Sequence, residues 1–311
     1  MDKDQVYGCL FGLCVGEALG VPVEGRTRES LSADPVTDMI GNGAFHQPPG
    51  TWSDISALAF CVVESICGGF SLSDLAARVV RVIREGYWTA NGALFDIGAT
   101  TRKALARLEK TLDRPENAGP RGENENGNGA LAFVLPLAFS TLGLSFEERF
   151  KTAAQVTSLT HGHMRAITGS MILLELTREL LGGHPPHEAL TRARKSVRAE
   201  LSAEPELSHY ARILDGDIAK LRAGEIRSGG YTVETLEAAI WCLVTERNYA
   251  GTVLKAVNLG GDTHVVTAIA GALAGLADGF KGIPKRWRDH VTRKEDITDL
   301  ASRFYSIASS K

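Results

Sequence analysis

The sequence lacks any paired cysteine motif: Cys9, Cys14, Cys61, Cys67 and Cys242 form no CxxC and sit in apolar stretches. That argues against a zinc cluster or a disulfide framework and fits a reducing compartment. It also lacks an excess of either charge, with 34 Lys and Arg against 37 Asp and Glu and a net charge of -3. No general attraction to nucleic acid or to an anionic membrane follows from that balance. Long apolar runs are scarce. The strongest, residues 264–280, is diluted by Ala, Gly and Thr and interrupted by Asp278, short of the roughly 20 strongly apolar residues of a membrane span. The opening Met1-Asp2-Lys3-Asp4 is acidic where a secretory leader carries positive charge, and Gly8, Gly12, Gly16 and Glu17 break the apolar stretch behind it. The expectation is a cytoplasmic protein with no leader and no membrane partner. The GxSxG elbow, HExxH and a Walker lysine are missing too, which lowers the standing of the chemistries that depend on them.

What is abundant is glycine, 33 of 311 residues, without a collagen-like period. Gly8, Gly12, Gly16 and Gly20 are four apart, so a helix over residues 5–20 carries a glycine ridge against which another helix can pack closely. Each such glycine costs a helix about 1 kcal/mol relative to alanine, so tertiary packing must hold this one. Helix-like apolar spacing recurs over residues 56–67, 73–85, 99–112, 130–142, 147–157, 165–181, 186–203, 207–222, 233–246, 250–257 and 264–278. Pro185 and Pro186 open one helix, while Gly68–Gly69 and Gly182–Gly183 close two others. Alternating strand-like runs are few, so the expected class is all-α, and nothing marks a linker that would divide residues 1–311.

Residues 114–129 are rich in Gly, Asn and Pro and read as a long loop, a kind of segment that is often functional. Within it and beyond, Gly127-Asn128-Gly129-Ala130-Leu131-Ala132 fits GxGxxA, but Glu-Asn-Glu-Asn before it is no buried strand, and the dinucleotide-fold reading is rejected. The basic group Lys281, Lys285, Arg286, Arg288, Arg293 and Lys294 reads as a solvated face. Two segments share a design, a glycine-containing loop, then hydroxyls and carboxylates, then a helix of small and apolar residues. They are Gly50-Thr51-Trp52-Ser53-Asp54-Ile55-Ser56 and Asn258-Leu259-Gly260-Gly261-Asp262-Thr263-His264. Their oxygens can cap the helices that follow, or can converge as the hard ligands that Mg²⁺ prefers.

The order and spacing of these segments resemble the ADP-ribosylglycohydrolase family, over roughly residues 5–290. Gly16-Glu17-Ala18 through Glu24 is similar to the family's Gly-Asp-Ala turn and following glutamate, with Glu17 in place of the usual aspartate. Gly50–Ser56 resembles Gly-x-Trp-Thr-Asp-Asp-Thr, and Asp96-Ile97-Gly98-Ala99-Thr100 resembles Asp-x-Gly-x-Thr. Gly127-Asn128-Gly129-Ala130, Thr160-His161 and Gly260-Gly261-Asp262-Thr263 follow in the family's order, and Ile283-Pro284 with Trp287 ends the match. The resemblance implies a single-domain orthogonal helical bundle that binds two Mg²⁺ ions beside an ADP-ribose pocket. It also implies hydrolysis of the bond between C1″ of the distal ribose and an acceptor such as arginine or serine.

By this resemblance Glu24, Asp54 and Asp262 are the candidate catalytic residues, and Asp96, Gly98, Gly127, Asn128, Gly129 and His161 the candidate substrate-binding ones. Ser53, Asp54, Asp262 and His264 are the candidate metal ligands. Departures fall on that last group: Ile55 stands where the family has its second aspartate, and His264 and Val265 where it has Asp and Thr. Half of the expected ligand positions have changed, so at most one divalent cation is expected, Mg²⁺ or Mn²⁺ ahead of Zn²⁺ or Fe²⁺. A histidine ligand would move preference away from Mg²⁺. Three states are open: a single-ion site, a metal-free hydrolase, and a pocket that binds without catalysis. The expected substrate is an ADP-ribosylated protein or a small ribosylated nucleotide, and the alternative to an enzyme is an ADP-ribose-binding or regulatory protein on the same scaffold.

Overall fold

The computed structural model describes residues 2–111 and 113–309, and among these there are helices and no strands. In chain order the helices are α1 (Lys3–Gly20), α2 (Arg28–Ala33), α3 (Asp54–Cys67), α4 (Leu72–Glu85) and α5 (Ala99–Leu108). Then come α6 (Leu131–Ser140), α7 (Phe146–Thr157), α8 (Met164–Leu181), α9 (Pro186–Leu201) and α10 (Ala211–Leu214). The last five are α11 (Thr232–Thr245), α12 (Tyr249–Val257), α13 (Thr263–Gly282), α14 (Lys285–His290) and α15 (Lys294–Ala308). The helix expected over 99–112 ends at Leu108, and its expected last residue lies outside the described ones.

One expected helix fails. Residues 207–222 break into short turns, Pro205–Tyr210, Ala211–Leu214 and Ile218–Lys220, because Asp215-Gly216-Asp217 favours turn over helix. Three helices were not anticipated, α2, α14 and α15. The last buries Ile297, Leu300, Ala301, Phe304 and Ala308, an i, i+3, i+4, i+7 stripe that is plain in the sequence.

The chain folds as two compact units: residues 1–56, 217–230 and 234–311, and residues 57–216 and 231–233. At the centre of the first lie α1 and α13, antiparallel and touching backbone to backbone. A Cβ at Gly8 would fall 2.0 Å from the carbonyl oxygen of Gly275, one at Gly12 2.3 Å from that of Gly271, and one at Gly16 2.2 Å from that of Thr267. The ridge ends at Gly20, where a Cβ would lie 2.5 Å from the Cα of His264. Helix α1 therefore delivers the chain leaving its C-terminus to the start of α13. By length and apolarity both helices could cross a membrane, but they are buried against each other inside this unit.

Gly50–Trp52 is held by the segment behind α14. The Trp52 indole donates to the Thr292 carbonyl at 3.0 Å, and at Gly50, in the left-handed region at φ 82°, a Cβ would meet the His290 carbonyl at 1.9 Å. These contacts fix the residues entering α3. The basic group near α14 is an ion-paired surface: Lys294 bonds Asp289 at 2.7 Å, Arg293 bonds Asp296 at 2.7 Å, and Lys285 bonds Asp289.

In the second unit α8 packs on α6, α7 and α9. Its fully buried Glu175 accepts from both sides of the Arg149 guanidinium at 2.7 and 3.1 Å and from Ser196 at 2.7 Å. A paired charge of this kind specifies how three helices meet more than it adds stability.

Candidate active site

In the first unit the carboxylates come from three helix ends. Glu24 follows α1, Asp54 opens α3, and Asp262 caps α13, its Oδ1 accepting from the Val265 amide at 3.3 Å. Asp54 is buried, and the side chains of Glu24, Asp262 and His264 are 20, 16 and 8% exposed. His264 is the hub. Its Nδ1 lies 2.7 Å from Glu24 Oε2 and 3.6 Å from Asp262 Oδ1, and its ring and Asp54 offer ligand atoms within 4.8 Å of each other. Glu24 Oε2 also accepts from the Thr263 hydroxyl at 3.0 Å and the His264 amide at 3.1 Å.

Burial opposes a charge on His264, but the hydrogen bond to Glu24 and the fields of Asp262, Glu24 and Asp54 outweigh it and hold the ring's pKa well above the ordinary imidazole value. Burial likewise pushes the Glu24 carboxyl up, and the hydrogen bond and charge of His264 bring it below the usual range. The two directions agree: a charged imidazole beside a charged carboxylate.

Glu17 is the residue that sequence reasoning left without a role. It is fully buried, and its Oε1 accepts from the Ser53 hydroxyl at 2.5 Å and the Ile55 amide at 3.2 Å, while Oε2 accepts from the Ser56 amide at 2.9 Å. The free amides of the first turn of α3 are thus capped by a carboxylate from α1, where a negative charge also complements the helix dipole. Ser53 and Asp54 were the expected caps. The only sequence signal for Glu17 is its oddity, a charged residue in the middle of a glycine and apolar helix.

The substrate-binding candidates lie in the second unit. Gly98 precedes α5, a Cβ at Gly129 would lie 3.0 Å from the Thr101 hydroxyl and 3.4 Å from the His161 ring, and the Leu131 amide bonds the Asn128 carbonyl at 3.0 Å. Gly98, Asn128, Gly129 and His161 therefore gather around the start of α5. Gly127 forms an isolated bridge with Tyr231, and Glu125 ties the loop to α5 through Thr100 at 2.8 Å and Lys103 at 2.6 Å. Asp96, two residues before Gly98, lines a cavity of about 920 Å³ together with Arg84, Phe95, Arg102 and Lys110. A second acidic cluster, Glu123 and Glu206, is already bridged by Arg165 at 2.6 and 2.7 Å.

Burial pushes the His161 ring down to about 4, partly offset by Glu125, and Nδ1 sits 2.9 Å from the Thr160 hydroxyl. The ring is neutral at pH 7. As the pH falls the unfolded chain takes this proton first, near 6.5, and the folded chain only near 4. The stability held above pH 6.5 is thus lost progressively down to about pH 4, by roughly 3 kcal/mol at about 1.4 kcal/mol per pKa unit. Urea denaturation across that window should show a flatter pH profile for His161→Gln than for the parent; identical profiles would mean the ring is not buried neutral.

A family model described as ADP-ribosylglycohydrolase matches residues 1–311. Over 308 residues the chain is 31% identical to the ADP-ribosylarginine hydrolase Tri1 of Serratia proteamaculans (strain 568), covering 98% of this chain and 80% of that one. It is 26% identical to the ADP-ribosyl-[dinitrogen reductase] glycohydrolase of Rhodospirillum rubrum, covering 94% of this chain and 91% of that one. A solved structure titled ADP-ribosylglycohydrolase-related protein complex superposes with a TM-score of 0.83 at 30% identity, covering 98% of each chain.

Proposed function

The chain belongs to the ADP-ribosylglycohydrolase family, and from that premise we propose that it hydrolyses the bond between C1″ of ADP-ribose and an arginine side chain of a modified protein. The observation that carries this reading is the gathering of Glu24, Asp54 and Asp262 around one buried ring, at three helix starts or ends. Family membership supports ADP-ribosyl hydrolase activity; arginine as the acceptor is supported by the names of the relatives at 31% identity.

Cleavage of such a bond passes through an oxocarbenium-like state. Asp54 or Asp262 removes a proton from the attacking water and a carboxyl returns one to the departing guanidine nitrogen, so hydroxyl adds at C1″ and hydrogen at the acceptor. Glu24 is assigned to the ribose hydroxyls. Within the second unit, the amides of Gly127, Asn128 and Gly129, unobstructed by side chains at two of the three positions, suit an anion, beside the neutral ring of His161. A cytoplasmic location goes with this reading, and the buried thiols of Cys9, Cys14, Cys61 and Cys242 suit a reducing compartment. The metal requirement is reduced: Ile55 and Val265 carry no donor, and the family's two-ion centre does not fit these residues.

Peptides ADP-ribosylated on arginine and on serine, with chromatographic detection of ADP-ribose, test the reading. Release from the arginine peptide is expected at least about tenfold faster than from the serine peptide, and to fall roughly a hundredfold in Asp262→Asn. Tight ADP-ribose binding with no release from either peptide would replace the hydrolase with the binding protein, the reading favoured by Ile55 and Val265.

A further inference from the structure

We infer that the His264 ring and the Glu17 carboxylate replace the two metal ions of the site, so that hydrogen bonds tie the start of α3 to α1 and the start of α13 to Glu24 behind α1, and no divalent cation is needed. For turnover this rests on the hydrolase reading above; for metal binding it stands alone.

The donor geometry carries it. At 2.7 Å, Nδ1 of His264 and Oε2 of Glu24 are hydrogen-bonded, closer than the roughly 3 Å that separates neighbouring ligands on one octahedral ion with bonds near 2.1 Å. A carboxylate oxygen can only accept, so Nδ1 carries the hydrogen and is not open to a metal. The same oxygen takes two further donors, the Thr263 hydroxyl and the His264 amide. Asp262 Oδ1 is committed to the Val265 amide. On the α3 side the Ser53 hydroxyl donates to Glu17. The neighbouring positions, Ile55 and Val265, are 1 and 3% exposed and present hydrocarbon.

What the ions would do for charge and position is supplied from within the chain. The His264 ring sits against the carboxylates of Glu24, Asp262 and Asp54, with the Phe45 ring edge-on at 6.5 Å. Glu17 fixes the first turn of α3 from α1. The changes from the family pattern therefore compensate one another: where Asp and Thr are lost, a histidine and a longer acid reach across.

Equilibrium dialysis of the full-length protein against Mn²⁺ and against Mg²⁺, with elemental analysis of bound metal, reads this without any substrate. Substoichiometric metal is expected for the parent, with the same thermal midpoint in EDTA and in Mn²⁺. One or more ions per chain, lost in Glu24→Gln or Asp262→Asn, would overturn the inference. The triple variant Ile55→Asp, His264→Asp, Val265→Thr restores the family's donors and is expected to raise bound Mn²⁺ at least about tenfold; if it does not fold, His264→Asp alone is measured for the same gain. ADP-ribose release unchanged by EDTA is the corresponding expectation for turnover, and release abolished by EDTA and restored by Mg²⁺ would refute metal independence while leaving the hydrolase assignment intact.

Discussion

Gly12→Val should leave little folded protein. A Cβ at Gly12 would lie 2.3 Å from the Gly271 carbonyl oxygen and 3.3 Å from the Gly275 Cα, backbone atoms of α13 that no rotamer change can move aside. The helices would have to separate along their contact, and the Tyr249 hydroxyl, which donates to the Gly12 carbonyl at 2.9 Å, would lose its partner in a fully buried place. Overpacking costs about 1–3 kcal/mol where side chains yield; here backbone meets backbone, so even Gly12→Ala is expected to cost at least about 3 kcal/mol, against a helix-propensity gain of about 1 kcal/mol. For a protein with roughly 5–15 kcal/mol of total stability, the branched residue is close to disabling. Soluble yield and thermal melts followed by circular dichroism report the effect. Gly143→Ala, where a Cβ would meet nothing within 4 Å, is the neutral control; a parental melt for Gly12→Ala would disprove the close approach. Because the ridge ends at Gly20 beside His264, loss of register there also moves Glu24 away from the ring.

That ridge was legible because backbone contact demands the absence of Cβ at every fourth position, and Gly8, Gly12, Gly16 and Gly20 meet the demand with nothing else to explain them. Most helix identities were legible for the same kind of reason, and most of their ends moved by a residue or two, though α5 stops at Leu108 where 112 was expected and α13 runs to Gly282 where 278 was expected. The failure at residues 207–222 came from reading apolar spacing through Asp215-Gly216-Asp217, where turn chemistry wins. In the site, motif order grouped Glu24, Asp54, Asp262 and His264, and the first unit does bring them together. What motif order could not hold is which atom bonds which. His264 and Glu24 are 240 residues apart in sequence, and a replacement of aspartate by histidine reads as loss until the ring is found hydrogen-bonded to a neighbouring glutamate.

Glu17→Leu should cost the fold about 2–6 kcal/mol, since it leaves the Ile55 and Ser56 amides buried without an acceptor, at about 1–3 kcal/mol for each group orphaned, and leaves the Ser53 hydroxyl only its longer bond to Asp54 Oδ1 at 3.2 Å. Glu17→Gln keeps the shape but presents an NH₂ to donors, so part of the loss remains. Glu17→Asp restores the residue usual in the family, yet it is one methylene shorter and is expected to reach Ser53 or the α3 amides but not both. The predicted order of stability in urea denaturation is parent, then Asp, then Gln, then Leu. Activity separates positioning from mere stability: at temperatures where every variant is folded, kcat for ADP-ribose release should follow the same order while KM changes little, because the first turn of α3 carries Asp54 and its drift misplaces an acid or base more than it weakens binding. A Glu17→Leu protein within about 1 kcal/mol of the parent would mean that water or another group takes over the amides, and that the helix start carrying Asp54 is held by the Trp52 and Gly50 contacts behind it instead.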